Sequence, residues 1–220
     1  MLRTEFISTG MYVPDRVVQN DEFTQWMDTS DEWIRTRTGI TERRWVAEGQ
    51  SGADMAYEAT RRALARAGLK ASDLDCIVYA TLSPDHFFPG TGVFLQRRLG
   101  IPGVPCLDVR NQCSGFLYGL SVADAWVRAG QYKRILLVGS EVHSTGMDLT
   151  TRGRDLAVLF GDGAGVAILG PTEADGRGVL STHIFATGPT PSCCSATRRP
   201  RPGTRASARR TWTRPGSSRS

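Results

Sequence analysis

The chain has 220 residues, of which 40% are hydrophobic and 22% charged, a composition typical of one or two globular domains and not of a fibrous protein. It has no run of about 18 apolar residues, so we expect no membrane-spanning helix. The first residues lack the apolar core of a signal peptide, so we expect a cytoplasmic location.

The net charge of +5 comes from residues 188–220, which contain eight Arg and no Asp, Glu or Lys. Without those eight arginines, 19 basic residues stand against 22 acidic ones, a net charge of −3 for the rest of the chain. The basic balance therefore gives no reason to expect nucleic acid as a partner of the whole protein.

The predicted elements alternate between strands and helices. The first part of the chain has a strand at 4–10 and helices at 20–27, 30–38 and 51–67. Strands at 75–80, 104–109 and 134–139 follow, separated by helices at 91–99 and 114–129. Two apolar segments at 156–160 and 165–169 then flank the glycine turn FGDGAG, and a last strand is predicted at 178–186. Asn20 and Ser51 are the predicted caps of two of these helices. The alternation predicts an α/β fold with βαβ units and a mostly parallel sheet covered by helices.

The composition changes abruptly after residue 187. Residues 188–220 are rich in Arg, Pro, Ser, Thr and Gly and have almost no aliphatic side chains. One interpretation is a disordered basic tail, and another is a shifted reading frame in GC-rich coding DNA. We therefore predict two parts, a folded domain over 1–187 and a low-complexity tail over 188–220.

Five cysteines occur, an odd number whose spacing matches no zinc pattern, so we predict reduced thiols and no metal site. Cys76 and Cys106 stand in apolar runs and are predicted to be buried. Cys113 differs, because it stands where an apolar strand turns into a long helix. The unpaired N–H groups and the dipole of a helix start stabilise an anion such as a thiolate, although this position also suits any small residue.

Three segments together carry a resemblance to a known family. They are DTSDEWIRTRTGITERR at 28–44, NQCSGFLYGLSVAD at 111–124 and LFGDGAGVAIL at 159–169. In order and spacing they resemble β-ketoacyl-acyl-carrier-protein synthase III, a condensing enzyme of the thiolase fold, from the N-terminus to about residue 187. The resemblance implies mostly the N-terminal half of a thiolase-like fold, with a mixed sheet whose βαβ units are covered by helices.

The resemblance also implies a reaction and the residues that perform it. The family is an acyltransferase that condenses an acyl-CoA starter with malonyl-acyl-carrier-protein, releasing CO2, with no permanently bound cofactor and as a homodimer. Cys113 matches the cysteine that becomes acylated. Trp33 and Arg37 match the residues that hold the CoA adenine, Thr29 matches a further CoA contact, and Arg152 matches a residue that helps bind the CoA phosphates.

Some of these assignments have close neighbours that could replace them. Phe88 resembles a phenylalanine that crosses the dimer interface to line the partner's acyl pocket, but Phe87 precedes it. Arg154 likewise stands near Arg152. Asp162, in the glycine turn, is interpreted as structural and not catalytic.

The family's catalytic His and Asn have no counterpart in this sequence. None of the three histidines, His86, His143 and His183, stands in the matching motif, so we expect the chain as written to be inactive in condensation. Two alternatives remain open at this stage. One is a starter-unit ketosynthase of a polyketide pathway, and the other is a non-catalytic remnant that binds CoA. The sequence does not distinguish the acyl starter.

Overall fold

The structure is a computed structural model and describes residues 2–187. Residues up to Ile184 form one compact unit. Its strands are β1 (Arg3–Tyr12), β2 (Arg16–Gln19), β3 (Glu42–Trp45), β4 (Cys76–Ala80), β5 (Cys106–Val109), β6 (Ile135–Glu141) and β7 (Gly163–Thr172). Its α-helices are α1 (Asp31–Thr38), α2 (Gly52–Ala67), α3 (Thr91–Leu99), α4 (Gly115–Arg128) and α5 (Arg154–Ala157). Both interpretations of the tail, and the boundary at 187, concern residues at or beyond the edge of this range and stay predictions.

The main sheet has five strands in the order β1-β7-β6-β4-β5. β4 runs parallel to both β5 and β6, while β7 runs antiparallel to both β1 and β6. The successive parallel strands are joined through α3 and α4, so β4–α3–β5 and β5–α4–β6 are βαβ units. The prediction of an α/β fold with βαβ units and a sheet covered by helices is confirmed. The prediction that this sheet is mostly parallel was wrong, because β7 pairs antiparallel with both of its neighbours and the sheet is mixed.

Helices cover both faces of this sheet, and the alternation of side chains along β4 shows why. Ile77 and Tyr79 belong to the core under α2 and α3, whereas Cys76 and Val78 belong to the core under α4. Because successive side chains of a strand point to opposite faces, a strand buried on both faces is apolar throughout. Every residue of β4 is accordingly buried.

Helix α2 has a cap at each end, and the sequence signals that predicted both ends are confirmed. Ser51 accepts a hydrogen bond from the N–H of Asp54, and Gly68 ends the helix with a positive φ of 66°. The helix lies very close to β1. A Cβ added at Gly10 would stand 2.2 Å from the carbonyl oxygen of Ala59, so only glycine fits at this crossing.

A second layer, which we call the small layer, combines the two-stranded sheet β2–β3 with α1, α5 and a 3-10 helix over Asn20–Gln25. It has its own apolar core, made of Val18, Phe23, Met27, Ile34, Trp45, Ala157 and Val158. The sequence did not predict the β2–β3 pair. Each strand has four residues and the two are separated by the 3-10 helix and α1, so no local turn signal marks the pairing.

Two further sequence predictions were wrong. Asn20 does not cap a helix, because Gln19 occupies the cap position and Asn20 is buried instead. Residues 178–186 form no strand in the described chain. There the N–H of Val179 bonds to the carbonyl of Thr4, but no ladder follows and Leu180 and Ile184 stay exposed.

Two kinds of feature are absent from the described residues. No helix between residues 2 and 187 is long and apolar enough to cross a membrane. Within the same range, no group of three or more His, Cys, Asp or Glu side chains is placed to hold a metal ion.

Candidate functional site

Cys113 lies in a sharp turn between β5 and α4. A single 3-10 turn spans Gln112–Ser114, and α4 begins at Gly115. Gln112 has a φ of 43°, in the left-handed region that a non-glycine residue rarely adopts. Backbone strain of this kind is concentrated at functional sites, and here it immediately precedes the predicted nucleophile. The turn leaves Cys113 exposed to solvent.

The other two described cysteines have different surroundings. Cys76 is buried in the sheet and Cys106 is half-buried beside it, which confirms the first prediction of a buried thiol and only partly confirms the second. Burial raises the pKa of the Cys76 thiol to about 12 and that of the Cys106 thiol to about 11. Both thiols are therefore almost entirely protonated near neutral pH, which makes them poor nucleophiles.

A second candidate feature is the cleft around Trp33, which we call the Trp33 cleft. Its volume is about 430 Å³, and its lining residues are Trp33, Arg37, Thr38, Arg154, Asp155 and Val158. The guanidinium carbon of Arg37 lies 4.4 Å from the centre of the indole ring, and that of Arg154 lies 4.2 Å from it. A flat aromatic face with two guanidinium groups suits a ligand that combines a planar base with anionic groups.

Local sequence explains how α1 presents this indole. Ser30 caps the helix by accepting a hydrogen bond from the N–H of Trp33 at 3.0 Å. Trp33 and Arg37 are four residues apart and so share one helix face. Ile34 points the other way, into the core of the small layer. The capping motif therefore fixes the helix register that turns Trp33 and Arg37 into the cleft.

Thr29 lies one residue before that cap. Its Oγ1 is buried and has no hydrogen-bond partner among residues 2–187. An unsatisfied buried hydroxyl costs folding free energy, and it is therefore a reasonable position for a ligand contact. The backbone of Asp28, just before Thr29, is held by the segment that contains Thr151 and Arg154. Its N–H donates to Thr151 Oγ1, and its carbonyl accepts from Arg154.

Arg152 and Arg154 have different environments. Arg152 has an exposed side chain and forms an ion pair with Asp148 at 2.5 Å. Arg154 instead lies over the indole of Trp33. The structure thus brings Trp33, Arg37 and Arg154 together, and it does not place Arg152 in the lining of the cleft. The sequence indicated Arg154 only as a neighbour of Arg152, because a sequence does not reveal which way either side chain points. The assignment of Arg152 to the CoA phosphates stays a prediction.

Phe88 lies in the loop between β4 and α3 and is 93% exposed. The loop itself is held firmly. Glu141, at the end of β6, accepts hydrogen bonds from the N–H groups of Leu82 and Ser83, and Asp85 accepts one from the N–H of Gly52 at the start of α2. A ring with this exposure on a fixed loop fits a residue that contacts another surface, although its proposed role across a dimer interface stays a prediction.

Asp162 is a structural residue in this fold. It is 5% exposed and accepts hydrogen bonds from the backbone N–H groups of Val46, His143 and Ser144 at 2.8, 2.7 and 2.9 Å. These bonds tie the start of β7 to the end of β3 and to the loop after β6. The interpretation of this aspartate as structural is thereby supported.

Comparisons with known proteins show which family this chain resembles. The family model described as 3-oxoacyl-[acyl-carrier-protein (ACP)] synthase III matches residues 107–188, which include Cys113. The β-ketoacyl-[acyl-carrier-protein] synthase III of Laribacter hongkongensis is 46% identical over 182 residues, covering 83% of this chain and 56% of that protein. The protein of the same name from Geobacillus kaustophilus is 48% identical over 182 residues, with 83% and 58% covered.

Solved structures lead to the same family. The 3-oxoacyl-[acyl-carrier-protein] synthase III of Aquifex aeolicus aligns with a TM-score of 0.74 and 41% identity, covering 78% of this chain and 55% of that one. A priming β-ketosynthase of a polyketide biosynthetic pathway aligns with a TM-score of 0.73 and 35% identity, covering 78% and 51%. The chain spans a little over half the length of the curated relatives it matches. On these matches and on the thiolase-like fold, the chain matches the N-terminal part of the 3-oxoacyl-[acyl-carrier-protein] synthase III family.

Proposed function

We propose that this chain binds an acyl-CoA at the Trp33 cleft and that Cys113 takes up the acyl group. The observation that carries the proposal is the position of Cys113, the exposed one of the three described cysteines, at a strained turn that opens α4. The start of a helix offers unpaired N–H groups to an anion, which suits both a thiolate and the oxyanion formed when it attacks.

The chemical step is a transfer between two thioesters. The Cys113 sulfur attacks the carbonyl carbon of the acyl-CoA, and a tetrahedral oxyanion forms. The carbon–sulfur bond to CoA then breaks, CoA leaves as a thiolate that takes up a proton, and the acyl group remains on Cys113 as a new thioester. No metal and no electron transfer is required by this balance.

Binding of the CoA adenine is proposed at the indole of Trp33. An adenine can stack on the indole or on the guanidinium of Arg154, since all three groups are planar. The buried Oγ1 of Thr29 provides a hydrogen-bonding group, and Arg37 and Arg152 provide positive charge for phosphates.

We further propose that the whole protein, like its family, condenses this acyl group with malonyl-acyl-carrier-protein and releases CO2 at the start of fatty-acid synthesis. This chain's own described residues supply the acylation half of that reaction. We also propose, from the motif resemblance alone, that this sequence has no counterpart of the family's catalytic His and Asn and that the 220-residue polypeptide does not complete the condensation. A homodimer and a cytoplasmic location complete the proposal, and both rest on the family resemblance.

A polyketide starter-unit ketosynthase is a second candidate. The similarity to a priming β-ketosynthase, with a TM-score of 0.73 and 35% identity, favours it specifically. The two candidates share the acylation step and differ in the acyl group. Competition between acetyl-CoA and longer or branched acyl-CoAs for Cys113 would separate them.

Acylation can be tested directly by intact-mass measurement. We expect the 220-residue chain to gain one acetyl group when it is incubated with acetyl-CoA, and Cys113→Ala to gain none. Cys106→Ala is the matched control and should be acylated like the unmodified chain. Equal acylation of Cys113→Ala would contradict the proposal. Release of CO2 from malonyl-acyl-carrier-protein at the rate of a full-length relative would contradict the proposed lack of condensation.

A further inference from the structure

The two walls of the Trp33 cleft come from parts of the chain that are far apart in sequence. One wall is α1, which carries Trp33 and Arg37, and the other is the segment from Arg154 to Val158. The space between the walls determines what fits against the indole. Two buried polar residues outside the cleft, Asn20 and Arg43, join these walls.

Asn20 is 1% exposed, and its amide is bonded on both sides. Its Nδ2 donates to Asp31 Oδ1 at 2.8 Å and to the carbonyl of Ile40 at 2.7 Å. Its Oδ1 accepts from Arg43 Nη2 at 2.8 Å. A guanidinium can only donate, so the orientation of the amide is fixed by its partners. Asp31 is in the first turn of α1 and Ile40 follows that helix, so Asn20 holds both ends of α1.

Arg43, in β3, continues the connection to the other wall. It is 6% exposed, and its Nη2 also donates to the carbonyl of Val158 at 2.9 Å. Its Nη1 donates to the carbonyl of Val18 at 3.3 Å. The N–H of Val158 in turn bonds to the carbonyl of Arg154 at 3.3 Å. The Arg43 guanidinium also lies 4.5 Å from the centre of the Phe23 ring, in the core of the small layer. A buried guanidinium whose hydrogen-bond partners are neutral oxygens is costly to desolvate.

We propose that Asn20 and Arg43 are positioning residues that set the separation between the two walls of the Trp33 cleft and thereby its affinity for the adenine end of CoA. The inference rests on the proposed function where the ligand is concerned. The connection runs from α1 through Asp31, Asn20 and Arg43 to Val158, and each hydrogen bond along it is 2.9 Å or shorter. It therefore transmits the position of one wall to the other without touching the ligand.

The first test is Asn20→Asp. The new carboxylate still accepts from Arg43, so the buried guanidinium keeps its partner and the fold is preserved. It cannot donate to Ile40, and its oxygen meets the carboxylate of Asp31, which repels it. We expect α1 to shift and the affinity for CoA, measured by calorimetry on the full chain, to fall about tenfold, the loss typical of one hydrogen bond to a charged group.

A pair of variants at Asp31 separates positioning from general stability. Asp31→Asn and Asp31→Ala both remove the negative charge near the helix start and the ion pair with Arg35. Only Asp31→Asn keeps an oxygen that accepts from Asn20. We expect Asp31→Asn to bind CoA within about twofold of the unmodified chain and Asp31→Ala to bind about tenfold more weakly. Ser8→Ala removes a buried hydrogen bond to Ala63 in the main sheet and serves as a control for lost stability.

A second measurement needs no ligand. The indole N–H signal of Trp33 in a two-dimensional NMR spectrum, assigned with Trp33→Phe, reports the guanidinium groups stacked on its ring. We expect Asn20→Asp and Asp31→Ala to move this signal and Asp31→Asn and Ser8→Ala to leave it in place. If the unmodified chain does not bind CoA, the proposed ligand is wrong. The Trp33 signal then tests by itself whether Asn20 and Arg43 set the separation between the walls of the cleft. Unchanged signals and affinities in Asn20→Asp and Asp31→Ala would overturn it.

Discussion

At the scale of single residues, solvent access separates Cys113 from the other described thiols. It lies in an exposed turn, while burial raises the pKa of Cys76 to about 12 and that of Cys106 to about 11. At pH 8, about one Cys76 thiol in ten thousand and about one Cys106 thiol in a thousand is ionised. Alkylation requires the thiolate, so Cys76 and Cys106 should react much more slowly with an alkylating reagent than the exposed thiol of Cys113.

We therefore expect limiting iodoacetamide at pH 8 to label Cys113 before Cys76 or Cys106. Peptide mapping by mass spectrometry measures the order, with labelling in urea as the control that all three thiols can react. The two cysteines after residue 187 are left out of the comparison. Preferential labelling of Cys76 would show that the burial described for it is wrong.

Cys76 also makes stability depend on alkaline pH. Its thiol keeps its proton in the folded chain up to a pKa of about 12, whereas the unfolded thiol ionises near its ordinary value of 9.0. As pH rises through that interval, the unfolded state loses protons first and is favoured. Burial raises the pKa of Tyr79 as well, which acts in the same direction.

The expected result is a smaller loss of unfolding free energy for Cys76→Ala than for the unmodified chain between about pH 8 and about pH 10, measured by urea titration. Cys76→Ala starts from a lower stability because it leaves a small cavity, so the slopes are compared and not the absolute values. Thr60→Ala, a buried substitution without a titrating group, should keep the slope of the unmodified chain. Parallel slopes for all three chains would rule out a contribution from Cys76.

At the scale of elements, β1 and α2 cross at Gly10. Among the described glycines, this is where a helix backbone comes closest to a strand of the sheet. A Cβ at Gly10 would lie 2.2 Å from the carbonyl oxygen of Ala59 and 2.9 Å from the nitrogen of Ala63. Both atoms belong to the backbone and cannot rotate away. The helix as a whole would have to move.

We expect Gly10→Ala to lower the free energy of unfolding by about 2 kcal/mol or more, because it forces the main core apart. Gly165→Ala is the matched control in the neighbouring strand β7, where a Cβ would meet nothing within 4 Å. It should change stability by less than about 0.5 kcal/mol. Chemical denaturation of both variants gives the comparison, and equal stabilities would contradict the packing described.

The elements also show what a sequence can and cannot predict. The capped helix α2 and the apolar strand β4 were predictable, because capping residues and a continuous run of apolar residues are visible in the local sequence. The pair β2–β3 was not, since its partners meet only through tertiary packing. Asn20 was assigned to a cap because an asparagine at a helix start usually has that role, whereas its bonds to Asp31, Ile40 and Arg43 depend on segments 11 to 23 residues away. Cys113 and Trp33 were identified through motifs, but the position of Arg154 required coordinates.

At the scale of the whole molecule, the proposed CoA binding and the proposed acylation lie in different layers. The Trp33 cleft belongs to the small layer, while Cys113 belongs to the main sheet, and Cys113 does not line the cleft. Changes in the cleft should therefore affect reaction with CoA thioesters and leave reaction with a short thioester, which has no adenine, unchanged.

The variants Arg154→Lys and Arg152→Lys test this separation. Both keep the positive charge, but only Arg154→Lys removes a planar group from the indole. We expect Arg154→Lys to raise the acetyl-CoA concentration needed for half-maximal acylation about fivefold, as expected for one lost cation–π contact, and Arg152→Lys to leave it within about twofold. Acylation by acetyl-N-acetylcysteamine should be the same in both. Equal effects of the two variants on acetyl-CoA would contradict the assignment of Arg154.

The hydrogen bonds that hold the loop before Phe88 affect how tightly another surface could bind the Phe88 ring. Glu141 and Asp85 hold the loop by the hydrogen bonds described above, and the N–H of Asp85 also donates to the hydroxyl of Thr91 at the start of α3. The part of this loop that makes these bonds, residues 82–85, thus loses conformational freedom during folding. A surface that receives the Phe88 ring gains its apolar area without having to order that part of the loop, so a larger share of the burial energy is available for affinity.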